Sequence, residues 1–149
     1  MQAIIFIGIQ GAGKSTFYKE YFIDTHIRIN LDMLKTRHRE KLIFQACLSA
    51  KQRLVIDNTN PTVEDRKRYI ITAKSQGFEV LGYYFDSELK DCKQRNNQRS
   101  GKKVIPLVGI LSTYKKLVLP SYNEGFDAIY SVKTNSDYSF IVEEWKREV

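Results

Sequence analysis

Residues 8–15, Gly8-Ile9-Gln10-Gly11-Ala12-Gly13-Lys14-Ser15, fit the pattern GxxxxGK[ST] and follow directly on the apolar run 3–7. This pairing constrains the chain more than any other part of it. A short run of β-branched and aromatic residues without polar alternation belongs at the centre of a parallel sheet, covered on both faces. Three glycines then let the backbone wrap with no side chain in the way. Successive N–H groups converge, and a helix beginning near Lys14 adds its positive end. Such a loop cradles phosphate. Gly8, Gly11, Ala12, Gly13, Lys14, Ser15 and Thr16 are the candidate phosphate-binding residues. Lys14 suits the β- and γ-phosphates, and the Ser15 hydroxyl suits Mg²⁺. The loop alone does not separate a kinase from a switch GTPase or a nucleotide-gated module. A guanine-reading NKxD is absent from the sequence.

The rest of the chain alternates in the same style. Strands are expected at 3–7, 27–29, 54–56, 79–85 and 128–132. Helices are expected at 14–23, 41–52, 63–75, 89–98, 107–117 and 140–148. Thr62 reads as the cap of the helix at 63, with Asp65 as its third-position acid. Ser87 reads as the cap of the helix at 89. Strand and helix in turn imply right-handed crossovers, hence a three-layer α/β fold: a central, mostly parallel sheet with helices on both faces. The 149 residues fit one domain, with no linker, repeat or low-complexity stretch.

Composition narrows the setting. No apolar run reaches the ~20 residues a membrane helix needs. The N-terminus lacks the layout of a signal peptide. Cys47 and Cys92 form no CxxC or Cys/His cluster, so neither a zinc site nor a redox motif is indicated. A cytoplasmic, intracellular protein is expected. The net charge is +7, and residues 90–116 alone hold eight cations against one anion. A positive field this concentrated attracts phosphates.

Three further positions carry candidate chemistry. Asp32 lies just past the short strand at 27–29, and strand C-terminal ends gather in one crevice in such folds. A carboxylate there can accept the proton of an attacking hydroxyl while a phosphoryl group is transferred. Asn30 or Asp32 could equally cap the helix that follows. Lys35 stands three residues on, sharing a helical face with Asp32, where it could hold an acceptor phosphate. Arg37 and Arg39 compete for that role. Asp57 closes the run Leu54-Val55-Ile56, where an aspartate orients Mg²⁺, and Asn58, Thr59 and Asn60 extend a polar lip. Arg95 and Arg99 stand four apart before Gly101. Two guanidiniums beside a short segment resemble a kinase lid around 95–105 that closes on the transferring phosphoryl.

Four markers in order, GIQGAGKS, NLDMLK, VIDNTNP and CKQRNNQRSGKKVIP, resemble the kinase domain of the 5′-hydroxyl polynucleotide kinases over about residues 2–133. The later segment TYKKLVLPSYNEGFDAIYSV is also similar to that family. The resemblance implies a P-loop kinase fold and transfer of the ATP γ-phosphoryl to the 5′-hydroxyl end of DNA or RNA. It implies Lys14 and Ser15 on donor phosphates and metal, Asp32 as general base, Asp57 organising Mg²⁺, and Arg95 and Arg99 as lid arginines. Where the phage branch has an arginine three residues after the base, this sequence has Lys35, which keeps the charge and loses the fork. Position 31 is Leu, where several relatives have a basic residue. The DxD motif of the phosphatase often joined to this kinase is absent, and no protein partner is implied. Two other readings remain: a P-loop kinase for a small metabolite or nucleoside, and a non-enzymatic, nucleotide-dependent nucleic-acid-binding module.

Overall fold

The computed structural model describes residues 1–99, 105–135 and 137–145. The apolar run forms β1 (Gln2–Ile7), whose Ala3 to Ile7 are all at most 2% exposed. It is flanked in parallel by β3 (Leu54–Ile56) and β4 (Glu79–Phe85), with Ile4 opposite Val55 on one side and Leu81 on the other. β2 (Ile27–Ile29) extends the sheet beyond β3, and β5 (Ala128–Thr134) beyond β4, both parallel. The order is β2-β3-β1-β4-β5-β6, with β6 at Phe140–Glu144. The order reverses at β1: successive strands are added on one side of it, then on the other. Crevices open at such a reversal, outside the carboxyl ends of the strands.

The two-residue period of β1 divides the core. Ala3, Ile5 and Ile7 face a cluster with Phe44, Cys47, Tyr69, Ile70 and Phe126. These come largely from α3 (Arg37–Ala50) and α4 (Val63–Ser75). Ile4 and Phe6 face Phe17, Tyr18, Cys92 and Ile110. These come from α1 (Lys14–Tyr21), α5 (Leu89–Asn97) and α6 (Leu107–Lys116). The helices thus lie on both faces of a six-stranded sheet, the expected three layers. The capping box at Thr62 and Asp65 is formed, each side chain bonding the other's backbone.

Four local expectations need correction. Of the segment expected as a helix at 140–148, residues 140–144 form β6 (Phe140–Glu144), antiparallel to β5, with Val132 opposite Val142, and residues 146–148 lie outside the described residues. Phe-Ile-Val suits a pleated surface better than a helix. A tight turn supplies the pairing: Asn135 N–H donates to Ser139 O at 2.8 Å, and Asp137 accepts from Ser139. The Phe140 ring lies 5.1 Å from that of Phe17. Second, α3 starts at Arg37 rather than 41, because Thr36 accepts from Arg39 N–H and fixes an earlier start. Third, the helix expected to carry Asp32 and Lys35 together is α2 (Leu31–Leu34), four residues long and ending before Lys35. Finally, Ser87 does not cap α5. The cap position falls to Glu88 without a side-chain bond, while the Ser87 hydroxyl meets the Cys92 thiol.

Candidate active site at the phosphate loop

The loop joins β1 to α1, and its glycines are used for space and handedness. Gly11 has φ +80°, and a Cβ there would overlap the Cys92 carbonyl of α5. Gly13, with φ +93°, is the residue on which α1 starts. Gly8 N–H donates to Thr59 O at 3.0 Å, which ties the start of the loop to the lip after β3. Lys14 Nζ donates to Gly8 O and Ile9 O, each at 2.8 Å.

Lys14 is only 9% exposed. Burial pushes its ammonium down to about 8, while Asp57, Cys92 and Asp32 pull it up and Arg99 pushes it further down. The charges of Asp57, Asp32 and Arg99 therefore all reach one lysine. Ser15 and Asp57 are in direct contact beside the loop, Arg95 holds the loop through Gly11 O, and Asp32 and Arg99 act on Lys14 through their charge.

Asp57 is 2% exposed at the end of β3, its N–H donating to Ile29 O of β2 at 2.8 Å. Its Oδ2 accepts from Ser15 Oγ at 3.0 Å. The same oxygen accepts from Arg28 Nε at 2.7 Å, and Arg28 Nη2 donates to Ser15 Oγ at 2.9 Å. Two hard oxygen donors thus stand side by side next to the phosphate cradle. That fits Mg²⁺, which takes one or two protein oxygens and completes its shell with phosphates and water. Among the described residues no group of three or more His, Cys, Asp or Glu assembles into a dedicated metal cage.

Asp32 sits in the first turn of α2, with an exposed side chain. Asn30, not Asp32, is the cap: its Oδ1 accepts from Met33 N–H at 2.9 Å, and its Nδ2 donates to Asp57 O at 2.6 Å. Asn58 Oδ1 accepts from Leu31 N–H at 2.8 Å. Behind it lies the Glu40 carboxylate, 3% exposed, which accepts from Asn58 Nδ2 at 3.0 Å, Tyr69 Oη at 2.6 Å and Arg37 Nη1 at 3.0 Å. A helix this short has no stability of its own. The two asparagines supply it, hanging α2 on the same strand end that carries Asp57.

Lys35 does not share a helical face with Asp32. α2 stops at Leu34, and Lys35 closes it with φ +74°, exposed, because Thr36 must be extended to cap α3. Arg37 is committed to Glu40 and Tyr69. Arg39 Nη1 bonds Leu34 O at 3.2 Å. Arg95 is half-buried and donates from Nη1 to Gly11 O at 3.0 Å, holding the phosphate loop itself. Arg99 lies beyond the end of α5, so the two arginines are not stacked on one helix. Residues 100–104 of the expected lid lie outside the described residues. Asn96 holds the chain on the far side: its amide donates to Ile105 O at 2.6 Å and accepts from Ile105 N–H at 2.8 Å. Of the lip, Asn60 turns inward to bond Phe6 O at 2.8 Å.

Sequence reasoning missed Arg28, Asn58 as an anchor, Glu40, Tyr69 and Asn96. Arg28 left one signal, a cation in the middle of a three-residue strand. Strand alternation sets it on the face opposite buried Ile29, the face on which α1 presents Ser15.

Sheet order, loop and strand-end carboxylate together define a phosphate-loop α/β protein. The chain belongs to the AAA domain family, whose model matches residues 4–108. It is similar to a putative bifunctional polynucleotide phosphatase/kinase of Acanthamoeba polyphaga mimivirus, 34% identical over 98% of this chain and 37% of that protein. It is also similar to a bifunctional polynucleotide phosphatase/kinase of Schizosaccharomyces pombe, 27% identical over 92% of this chain and 35% of that one. The chain spans little more than a third of the length of these curated relatives. Kti12 of Chaetomium thermophilum, solved with ADP-AlF3, shares the fold at TM-score 0.64 and 13% identity over 91% of this chain and 92% of that one. A gluconokinase of Sinorhizobium meliloti does so at TM-score 0.60 and 14% identity, over 89% and 82%. Among the described residues no helix is long and apolar enough to cross a membrane.

Proposed function

We propose that this chain transfers the γ-phosphoryl group of ATP to the 5′-hydroxyl end of DNA or RNA. The observation that carries the reading is the Ser15–Asp57 pair at 3.0 Å beside the glycine loop, with the helix that bears Asp32 hung from the same strand end through Asn30 and Asn58. The mimivirus and yeast relatives, both named polynucleotide phosphatase/kinases, support the choice of acceptor.

The chemistry follows from the positions. The loop amides, Lys14, Ser15 and Thr16 hold the donor phosphates, and Arg95 keeps the loop in shape through Gly11 O. Ser15 and Asp57 are the residues that would hold Mg²⁺, which when bound neutralises charge on the β- and γ-phosphate oxygens. Asp32 accepts the proton of the 5′-hydroxyl as its oxygen bonds to the γ-phosphorus and the bond to the β-phosphate oxygen breaks, releasing ADP. Arg99 meets the charge that develops on the phosphoryl oxygens. Lys35, exposed at the end of α2, is placed to meet the acceptor phosphate.

Residues 1–149 act in this reading as one kinase domain with a lid around 95–105. The sheet running from Gln2 to Glu144 supports that organisation. Two buried cysteines without a disulfide support an intracellular setting.

Labelling with γ-labelled ATP tests the function. A panel of 5′-OH DNA, 5′-OH RNA, a nucleoside 3′-monophosphate and free nucleosides is offered with Mg²⁺. Label is expected on the oligonucleotide ends and lost in Lys14→Ala and Asp32→Ala. Label on free nucleosides alone would replace the acceptor with a small molecule. Nucleotide binding with no transfer to any acceptor would sink the reading.

A further inference from the structure

Arg28 occupies an unusual place for a surface-strand cation. Its guanidinium forks across the two oxygens that suit the metal, Asp57 Oδ2 at 2.7 Å and Ser15 Oγ at 2.9 Å, which are themselves 3.0 Å apart. The Asp57 side chain is 1% exposed and the Arg28 side chain 27%, so the pair is desolvated on the acid's side and open on the arginine's. Arg28 is held there from both ends. Its backbone is paired in the sheet opposite Val55 and meets the Tyr18 hydroxyl, while its guanidinium is held by Asp57 and Ser15.

We infer that Arg28 is an internal cation that competes with Mg²⁺ for Ser15 and Asp57. The guanidinium takes one lone pair each from Asp57 Oδ2 and Ser15 Oγ, the two oxygens that a divalent ion would use directly or through its water. A dication and a guanidinium on the same carboxylate oxygen repel strongly in a buried setting. Metal entry therefore requires Arg28 to give up Ser15 Oγ at least, and the partly open side of the pair gives it room to swing away. When the nucleotide leaves with its metal, the arginine returns and neutralises a carboxylate that is too buried to stand alone. Arg28 thus sets the metal concentration at which the site loads, and it keeps Ser15 and Asp57 in register between turnovers.

The inference rests on the nucleotide-and-metal part of the reading above and is indifferent to the acceptor. Its test therefore uses ADP and metal alone. Mn²⁺ binding to the ADP-bound chain, followed by electron paramagnetic resonance, is compared between wild type, Arg28→Gln and Arg28→Lys. Arg28→Gln is expected to bind Mn²⁺ about tenfold more tightly, since a competing charge is gone. Arg28→Lys keeps the charge without the fork and is expected to fall between the two. In the unmodified chain, the ¹⁵N signal of Arg28 Nε is expected to move on Mg²⁺ titration in step with metal occupancy. Unchanged or weaker Mn²⁺ affinity in a folded Arg28→Gln would overturn the inference. So would an Arg28 Nε signal that ignores Mg²⁺, a readout that needs no variant. Failure of phosphoryl transfer to 5′-hydroxyl ends would leave these titrations intact and would count against the acceptor alone.

Discussion

The side chain of Asn58 holds the backbone of Leu31: Oδ1 accepts the Leu31 N–H at 2.8 Å, while Nδ2 donates to Glu40 at 3.0 Å. One amide thereby links a buried carboxylate to the helix on which Asp32 rides. Asn58→Ala cuts that link and leaves α2 with the Asn30 cap alone. Turnover is expected to fall about 10- to 100-fold, the scale of misplacing a reacting group by an ångström or so. ADP affinity is expected to stay within about twofold, because no phosphate-loop bond is lost. Transfer kinetics beside calorimetric ADP titration separate the two. Equal losses in both would assign Asn58 to the nucleotide instead.

Lys14 makes nucleotide binding depend on pH. Its ammonium is lowered to about 8 by burial. In the unfolded chain the same group titrates near 10.5. Between these values the unfolded chain holds the extra proton, so this group's contribution to stability rises with pH over that window and is flat below it. Binding runs the other way, since anionic phosphates favour the charged lysine. ADP affinity is expected to be level below about pH 7 and to weaken above 8 by up to about tenfold per pH unit. Calorimetry in buffers of differing ionisation heat should register proton uptake at pH 9. Lys14→Met should erase that uptake.

Arg66 and Glu124 form the most deeply buried ion pair among the described residues, with side chains 0% and 7% exposed and Nε 2.8 Å from Oε1. Arg66 Nη1 also donates to Val118 O at 2.9 Å, which ties α4 to the segment after α6. Arg66→Leu strands the Glu124 carboxylate and is expected to cost about 3–5 kcal/mol. Urea unfolding measures it. A loss below ~1 kcal/mol would mean that Glu124 finds water or another donor.

A polynucleotide acceptor should bring salt sensitivity. The cations of residues 90–116 give the chain a concentrated positive field. The apparent KM for a 5′-OH oligonucleotide is expected to rise steeply between 50 and 200 mM salt, about 10-fold or more if several backbone phosphates are contacted. The value for ATP should move far less. A flat acceptor profile would favour a small neutral acceptor.

Much of the fold was legible because the central strands are almost wholly apolar and punctuated. Residues 3–7, 54–56 and 79–85 declare a buried parallel sheet without help from tertiary context. The phosphate loop and Asp57 are legible for the same reason, since strand ends are marked by the first polar residue. The extent of α2 was not legible: four residues carry no periodicity, and beside the Asn30 cap its support comes from Asn58, far along the chain. Lys35 was misplaced on a helix because spacing of three says nothing about where a helix stops. β6 was misread because its charged tail, Glu143 and Glu144, masks the strand signal of Phe140 to Val142. Long-range partners such as Arg28 and Glu40 leave almost no trace in sequence, because their meaning lies in what the sheet brings opposite them.

The reversal of β6 has a practical corollary. Phe140 packs near the phosphate loop, whereas Trp145 N–H reaches Ile129 O at the opposite end of the sheet, and Met1 O meets Glu79 N–H at that same end. Both ends of the described chain therefore sit at the pole away from the cleft. A tether or label at Met1 leaves the carboxyl ends of the strands, and the phosphate loop there, uncovered.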